Sequence, residues 1–227
     1  MILSIHIPKT AGTSFGKMLR DHYGQRVLFD YGDWTGYDSP EAIRHREARY
    51  AEVASRADEL ARCYEVIHGH FKPSKYLRFF PAAQVVVFFR NPFQQSISNY
   101  EYLRRNPQIP HPAVRVFHES GMSFEEYLAW PDVRNPQSNF LGDFPVESLS
   151  LAGITEQFDR SVLLFNKLFH AALGGQYREN PHPGRQGNWH PVSPETRRAV
   201  ETWRREDLET YRRAIELFEA QARHAGI

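Results

Sequence analysis

The opening stretch MILSIHIPKTAGTSF, residues 1–15, decides how the rest of the chain is read. Met1 to Pro8 is a short apolar run suited to a buried parallel strand. Lys9 to Ser14 is a turn of small and polar residues, and Ser14 to Tyr23 has helical spacing, with Phe15, Met18 and Leu19 on one side. Strand, tight turn and helix in that order open an open α/β sheet. Such a turn aims several backbone N–H groups at one point, and the helix N-terminus adds positive potential there. Gly12 allows close approach of an anion. Thr10, Thr13 and Ser14 add hydroxyls, Lys9 adds a full charge, and Ala11 and Phe15 complete the segment. Glycine and threonine alone occur in any strand-to-helix turn. Pro8-Lys9-Thr10 together with Thr13-Ser14 points to a phosphate-like ligand. The lysine stands three positions before the glycine, whereas in nucleotide-triphosphate loops it follows the last one.

Outward from this segment, Tyr64 to His68, Gln84 to Phe89 and Gly153 to Phe158 read as further strands. Helices are expected from Pro40 to about Arg62, from Pro92 to about Arg104, from Phe124 to Trp130, from Ser161 to Leu173, and from Pro194 to about Ala222. Strands alternating with helices predict a mostly parallel sheet. Residues 24–40 are rich in turn signals. Asn106 to Gly121 reads as loop, Asn135 to Gly142 as a polar turn, and 174–191, rich in glycine and proline, as a mobile loop. Tyr100 and Tyr102 are expected in the core, and Cys63 as a small buried hydrophobe. Arg104-Arg105 reads as a solvated helix end, or as a patch attracting an anionic glycan.

With 227 residues the chain has room for one sizeable domain, taken here as 1–227, or two small ones. The 28 Lys and Arg against 27 Asp and Glu exclude binding of nucleic acid by bulk charge. A single cysteine excludes an internal disulfide framework and a cysteine-rich zinc site. No membrane span is expected. The start of the chain lacks a signal-like pattern, so the expected compartment is the cytoplasm. Nothing in the sequence speaks to the oligomeric state.

The valine strand ends in Arg90, and Ser98 follows on the next helix. Carboxyl ends of parallel strands share one edge, where ligands bind. Arg90 and the Lys9 loop are therefore expected to grip one ligand from two ends. A triphosphate enzyme places a strand-end aspartate on Mg²⁺; here the strand ends in a cation, and no metal is expected.

The segments His6–Phe15 (HIPKTAGTSF) and Arg90–Tyr102 (RNPFQQSISNYEY) resemble the nucleotide signature of sulfotransferases, most closely the heparan 2-O- and chondroitin-type carbohydrate branch. The resemblance implies a P-loop-like α/β fold and 3′-phosphoadenosine 5′-phosphosulfate (PAPS) as sulfuryl donor. It assigns the 5′-phosphosulfate to the Lys9 loop and the 3′-phosphate to Arg90 and Ser98. Weaker similarity extends through His68-Gly69-His70-Phe71, Asn135-Pro136-Gln137, Gly153-Ile154-Thr155-Glu156 and Asp207 to Tyr211. Asn91 stands where the family usually has Asp. Asn139 stands where it often has Arg, which removes a cation near the acceptor.

Sulfuryl transfer to a hydroxyl calls for a base, and histidine suits it. His68 and His70 follow the second strand and share one face. The resemblance places a catalytic histidine here and favours His70 over His68; either has a structural alternative. Gln137 is a candidate contact to the acceptor, a small molecule or glycan. Arg185 and Asn188 are candidates to close over the nucleotide, with a solvated linker as the alternative. Two other function classes stay open: a small-molecule kinase with an atypical loop, and a nucleotide-binding protein without catalysis.

Overall fold

The computed structural model of the chain describes residues 1–174 and 189–227. Five strands, β1 Ile2–Ile5, β2 Val27–Asp30, β3 Val66–Gly69, β4 Gln84–Phe89 and β5 Leu151–Ile154, form one sheet in the order β2-β3-β1-β4-β5. All four neighbouring pairs are parallel, as expected. Every residue of β1 and β3 is buried, which is why both read as unbroken apolar runs.

The helices are α1 Gly12–Tyr23, α2 Pro40–Cys63, α3 Ser74–Leu77, α4 Pro92–Arg105, α5 Pro112–Ser120, α6 Phe124–Ala129, α7 Pro136–Leu141, α8 Phe158–Phe169, α9 Pro194–Trp203 and α10 Arg205–Ala225. Phe15 of α1 packs between Phe88 of β4 and Phe165 of α8, with ring centroids 4.5 and 5.2 Å away. This aromatic seam ties α1 and α8 to the sheet. A second apolar cluster joins α5, α6 and α9 through Phe117, Tyr127, Leu128 and Val200.

Several expectations are corrected. Val27–Asp30, inside the turn-rich stretch, is the edge strand β2; only its two end residues are buried, so its apolar signal is thin. The expected loop Asn106–Gly121 contains α5, which starts on Pro112 with the His111 side chain accepting from the Ala113 N–H. The expected turn Asn135–Gly142 contains α7. The last strand is Leu151–Ile154, and Phe158 already begins α8. The long C-terminal helix breaks at Arg204 (φ −124°, ψ 31°), whose wholly buried guanidinium donates to the Leu128 carbonyl at 2.8 Å. Cys63 is exposed. The expected 174–191 loop, including Arg185 and Asn188, lies mostly outside the described residues.

Candidate active site

Each strand delivers a polar or aromatic group at its carboxyl end: His6 after β1, Tyr31 after β2, His70 after β3, Arg90 after β4 and Thr155 after β5. Between β1 and α1 the chain turns on two left-handed residues, Lys9 and Ala11, both at φ 67°, which alternate with Thr10 and Gly12, which are not left-handed. Alternating handedness gathers successive N–H groups into a concavity suited to an anion. The first intrahelical bond of α1 runs from Phe15 N to the Ala11 carbonyl, and no side chain caps its N-terminus. The first-turn N–H groups therefore have no carbonyl within their own helix.

Three loop residues have roles different from those expected. The Thr10 side chain is wholly buried and its hydroxyl donates to the Ile7 carbonyl at 2.9 Å, so it holds the turn. Phe15 is core. Gly12 is required by the His6 imidazole, because a Cβ there would lie 1.9 Å from the ring. One turn on, a Cβ at Gly16 would meet His68 Nε2 at 2.7 Å. Two histidines thus lie against the glycine face of α1. Thr13 is exposed and Ser14 is buried at the same turn.

Arg90 meets the loop directly: its Nη1 donates to the Lys9 carbonyl at 3.0 Å. The Gln95 amide donates to the Pro8 carbonyl at 3.0 Å, and the Lys9 ammonium stands 4.3 Å above the Tyr102 ring. Residues 95, 98 and 102 share a helical face. Gln95 and Tyr102 both touch the loop, so Ser98 between them faces it too. Tyr102, expected in the core, is half-buried and lies beneath the Lys9 ammonium. The spacing from Ser98 was the available signal for both Gln95 and Tyr102.

Gln137 is also reassigned. Its side chain is fully buried, accepts from the Arg90 N–H at 3.0 Å and donates to the Arg90 carbonyl at 2.8 Å. It fixes the strand end, with its amide oxygen and nitrogen both engaged by the Arg90 backbone. Thr155 donates to the Phe89 carbonyl at 2.8 Å. Glu156 accepts from the Asn91 N–H and from the Tyr211 hydroxyl, at 2.9 and 3.0 Å. Three of the four segments of weaker resemblance, through Gln137, Thr155-Glu156 and Tyr211, therefore converge on the end of β4.

Three imidazoles form the other half of the site. His6 stacks on His68 (centroids 5.3 Å) and meets His70 edge-on (4.8 Å). His68 Nε2 lies 3.1 Å from the Gly12 carbonyl, which can only accept, so Nε2 carries the proton. Its Nδ1 then accepts from Ser4, its register partner in β1, at 2.8 Å. Both His68 nitrogens are engaged, and His68 is structural. His70 Nε2 is buried and has no hydrogen-bond partner among the described residues. Burial, reinforced by the neighbouring imidazoles, pushes His70 down to about 3, and burial pushes His68 down to about 4. Burial, then His70, His68 and Lys9, holds His6 well below its ordinary value. All three are neutral at pH 7. A base with an ordinary histidine pKa was expected; low dielectric overrides it. Among the described residues no group of three histidine, cysteine or carboxylate side chains is arranged to hold a metal.

The outer wall beside His70 is the 31–38 segment. His6 Nδ1 and the Tyr31 hydroxyl are 2.9 Å apart, and Thr35 donates to the His70 carbonyl at 2.8 Å. Asp30, a strand-end carboxylate that the sequence reading overlooked, is held by Lys75 and Tyr76 at 2.5 and 2.8 Å. Lys75 also bonds both Asp33 oxygens, and Arg49 joins both aspartates.

Set against known proteins, the chain matches no family model and no curated protein at significance. Its fold matches the crystal structure of a sulfotransferase from Alicyclobacillus acidocaldarius, with a TM-score of 0.53, over 96% of this chain and 95% of that one, at 14% identity. The chain has a sulfotransferase fold. In this sulfotransferase fold the loop after β1 and the end of β4 stand at one edge of the sheet, within hydrogen-bonding reach of each other. Among the described residues no helix is long and apolar enough to cross a membrane.

Proposed function

We propose that the protein transfers a sulfuryl group from PAPS to a hydroxyl of a small molecule or glycan. The contact between Arg90 and the Lys9 carbonyl carries this reading, because it brings two cation-bearing segments to one anion-binding edge. The N–H groups of the loop and the α1 N-terminus would take the 5′-phosphate. Arg90 and Ser98 would take the 3′-phosphate. Lys9 would stabilise charge developing on the leaving phosphate oxygen. His70 would accept the acceptor proton at Nε2. In one displacement the acceptor oxygen bonds to sulfur and the bond from sulfur to the phosphate oxygen breaks. The electron pair leaves with the bisphosphate and the proton rests on His70.

The kinase alternative needs a strand-end carboxylate facing a nucleotide-bound Mg²⁺. Asp30 is at a strand end, but Lys75, Arg49 and Tyr76 already surround it, three strands away from Arg90 in the sheet. A melting-temperature comparison of 3′,5′-adenosine bisphosphate, ATP with Mg²⁺, and AMP tests the assignment. The bisphosphate should give the largest rise. A larger rise with ATP and Mg²⁺ would reverse the reading.

A further inference from the structure

We propose that the acceptor, on the transfer reading above, is an uncharged hydroxyl compound with an apolar ring face, and not a polyanionic glycan. The surroundings of His70 are rings. Tyr31, His6 and Phe140 lie 4.7, 4.8 and 5.8 Å from it, centroid to centroid. Tyr31 is 42% exposed, with its hydroxyl 2.9 Å from His6 Nδ1 and its ring edge-on to His70. A ring-bearing molecule gains contact area there at small entropic cost.

Three cations of the same wall are already matched. Arg46 pairs with Asp38, Lys75 with Asp30 and Asp33, and Arg49 with both of those aspartates. A polyanion would need unpaired cations; Arg46, Lys75 and Arg49 are each held by a carboxylate of the protein, which an incoming sulfate or uronate would have to displace. Removing a partner from a buried pair is strongly unfavourable.

The remaining polar group points the same way. Asn139 donates through Nδ2 to Asp38, which fixes its amide orientation, because a carboxylate only accepts. Its Oδ1 is then a buried acceptor with no partner among the described residues. An amide oxygen takes a hydroxyl proton and repels an anion. Lys72 and Arg20 make no ion pair among the described residues: Lys72 is half-buried with Asp38 and Asp143 within its electrostatic reach, and Arg20 lies over the Phe29 ring, 4.2 Å from its centroid.

The test is calorimetric binding of two uncharged probes, 2-naphthol and 4-nitrophenyl β-D-glucoside, and two polyanions, heparosan and chondroitin hexasaccharides. Each is titrated with and without 3′,5′-adenosine bisphosphate. At least one uncharged probe should bind, with affinity changing less than about twofold between about 50 and about 300 mM salt. Lys72→Gln should change that affinity less than about twofold. The polyanions should show no saturable binding at about 150 mM salt. Saturable polyanion binding that falls steeply with salt overturns the proposal, as does a failure of both uncharged probes to bind. If an uncharged probe binds but the bisphosphate does not, the donor assignment fails and the acceptor surface stands.

Discussion

Arg90 donates from Nη1 to the carbonyl oxygen of Lys9 at 3.0 Å, across 81 positions of the chain. This bond joins the loop after β1 to the end of β4. It fixes the guanidinium and engages the Lys9 carbonyl. Arg90→Ala should therefore act twice, on the 3′-phosphate and on the loop. Calorimetry should show an affinity for the bisphosphate at least about tenfold lower, and a smaller loss for AMP. Equal losses would remove the 3′-phosphate role.

Lys9→Ala should lower kcat by about 10²–10³-fold while weakening bisphosphate binding far less, as expected for charge stabilised in the transition state. Steady-state and binding measurements on the same variant separate the two. A pure rise in KM would mean that Lys9 only binds.

His70 is neutral throughout the physiological range, since burial keeps it near 3. The acid limb of kcat/KM should therefore show no inflection near 6.5 and should fall only in the region of pH 3–4. His70→Gln should lower kcat by about 10²-fold or more and leave bisphosphate affinity nearly unchanged. An acid limb centred at an ordinary histidine value would mean that another group is the base.

Buried imidazoles also set stability against pH. His68, His70 and His111 sit at about 4, 3 and 4, below the ordinary 6.5. Between about 4 and 6.5 the unfolded chain binds more protons at these sites, so they stabilise the fold above 6.5 and lose that effect as pH falls. Asp207, which burial raises to about 6, acts in the opposite sense, favouring the fold below its unfolded value and losing that contribution as pH rises through 6. Three histidines outweigh one aspartate. Denaturant titrations should show stability falling from pH 7 to pH 5, and His68→Gln should flatten that slope. A slope unchanged in the variant would contradict a neutral buried His68.

Gly12→Ala places a methyl 1.9 Å from the His6 ring and should cost about 2–4 kcal/mol. His6→Ala opens that space, so the double variant should lose less than the sum of the singles. Additive losses would show that Gly12 is needed for backbone reasons alone.

The sequence reading reached the sheet through β1, β3 and β4 because strands buried on both faces must be continuously apolar. It missed β2 because an edge strand shields only part of its length, and Val-Leu-Phe-Asp has no room for a pattern. It missed α7 because that helix is stabilised from outside, its Ser138 N–H donating to Asp207 of α10 at 2.8 Å. The strand-to-helix turn and its cation were legible because turn chemistry is local. So was the histidine pair, because alternation along a strand is local.

By itself, then, the sequence determined a parallel α/β sheet, a turn of small and polar residues with Lys9 after β1, a cation after β4 and two histidines on one face. The tertiary structure decided which of those groups are free to act. His68 is bound between Ser4 and Gly12, while His70 keeps Nε2 unpartnered. Gln137 serves the Arg90 backbone, and Tyr102 moves from expected core to the Lys9 ammonium. The physical reason is that a side chain's type and spacing are written along the chain. Its hydrogen-bond partners and its dielectric surroundings come from segments tens of residues away, and exist only once the sheet has assembled.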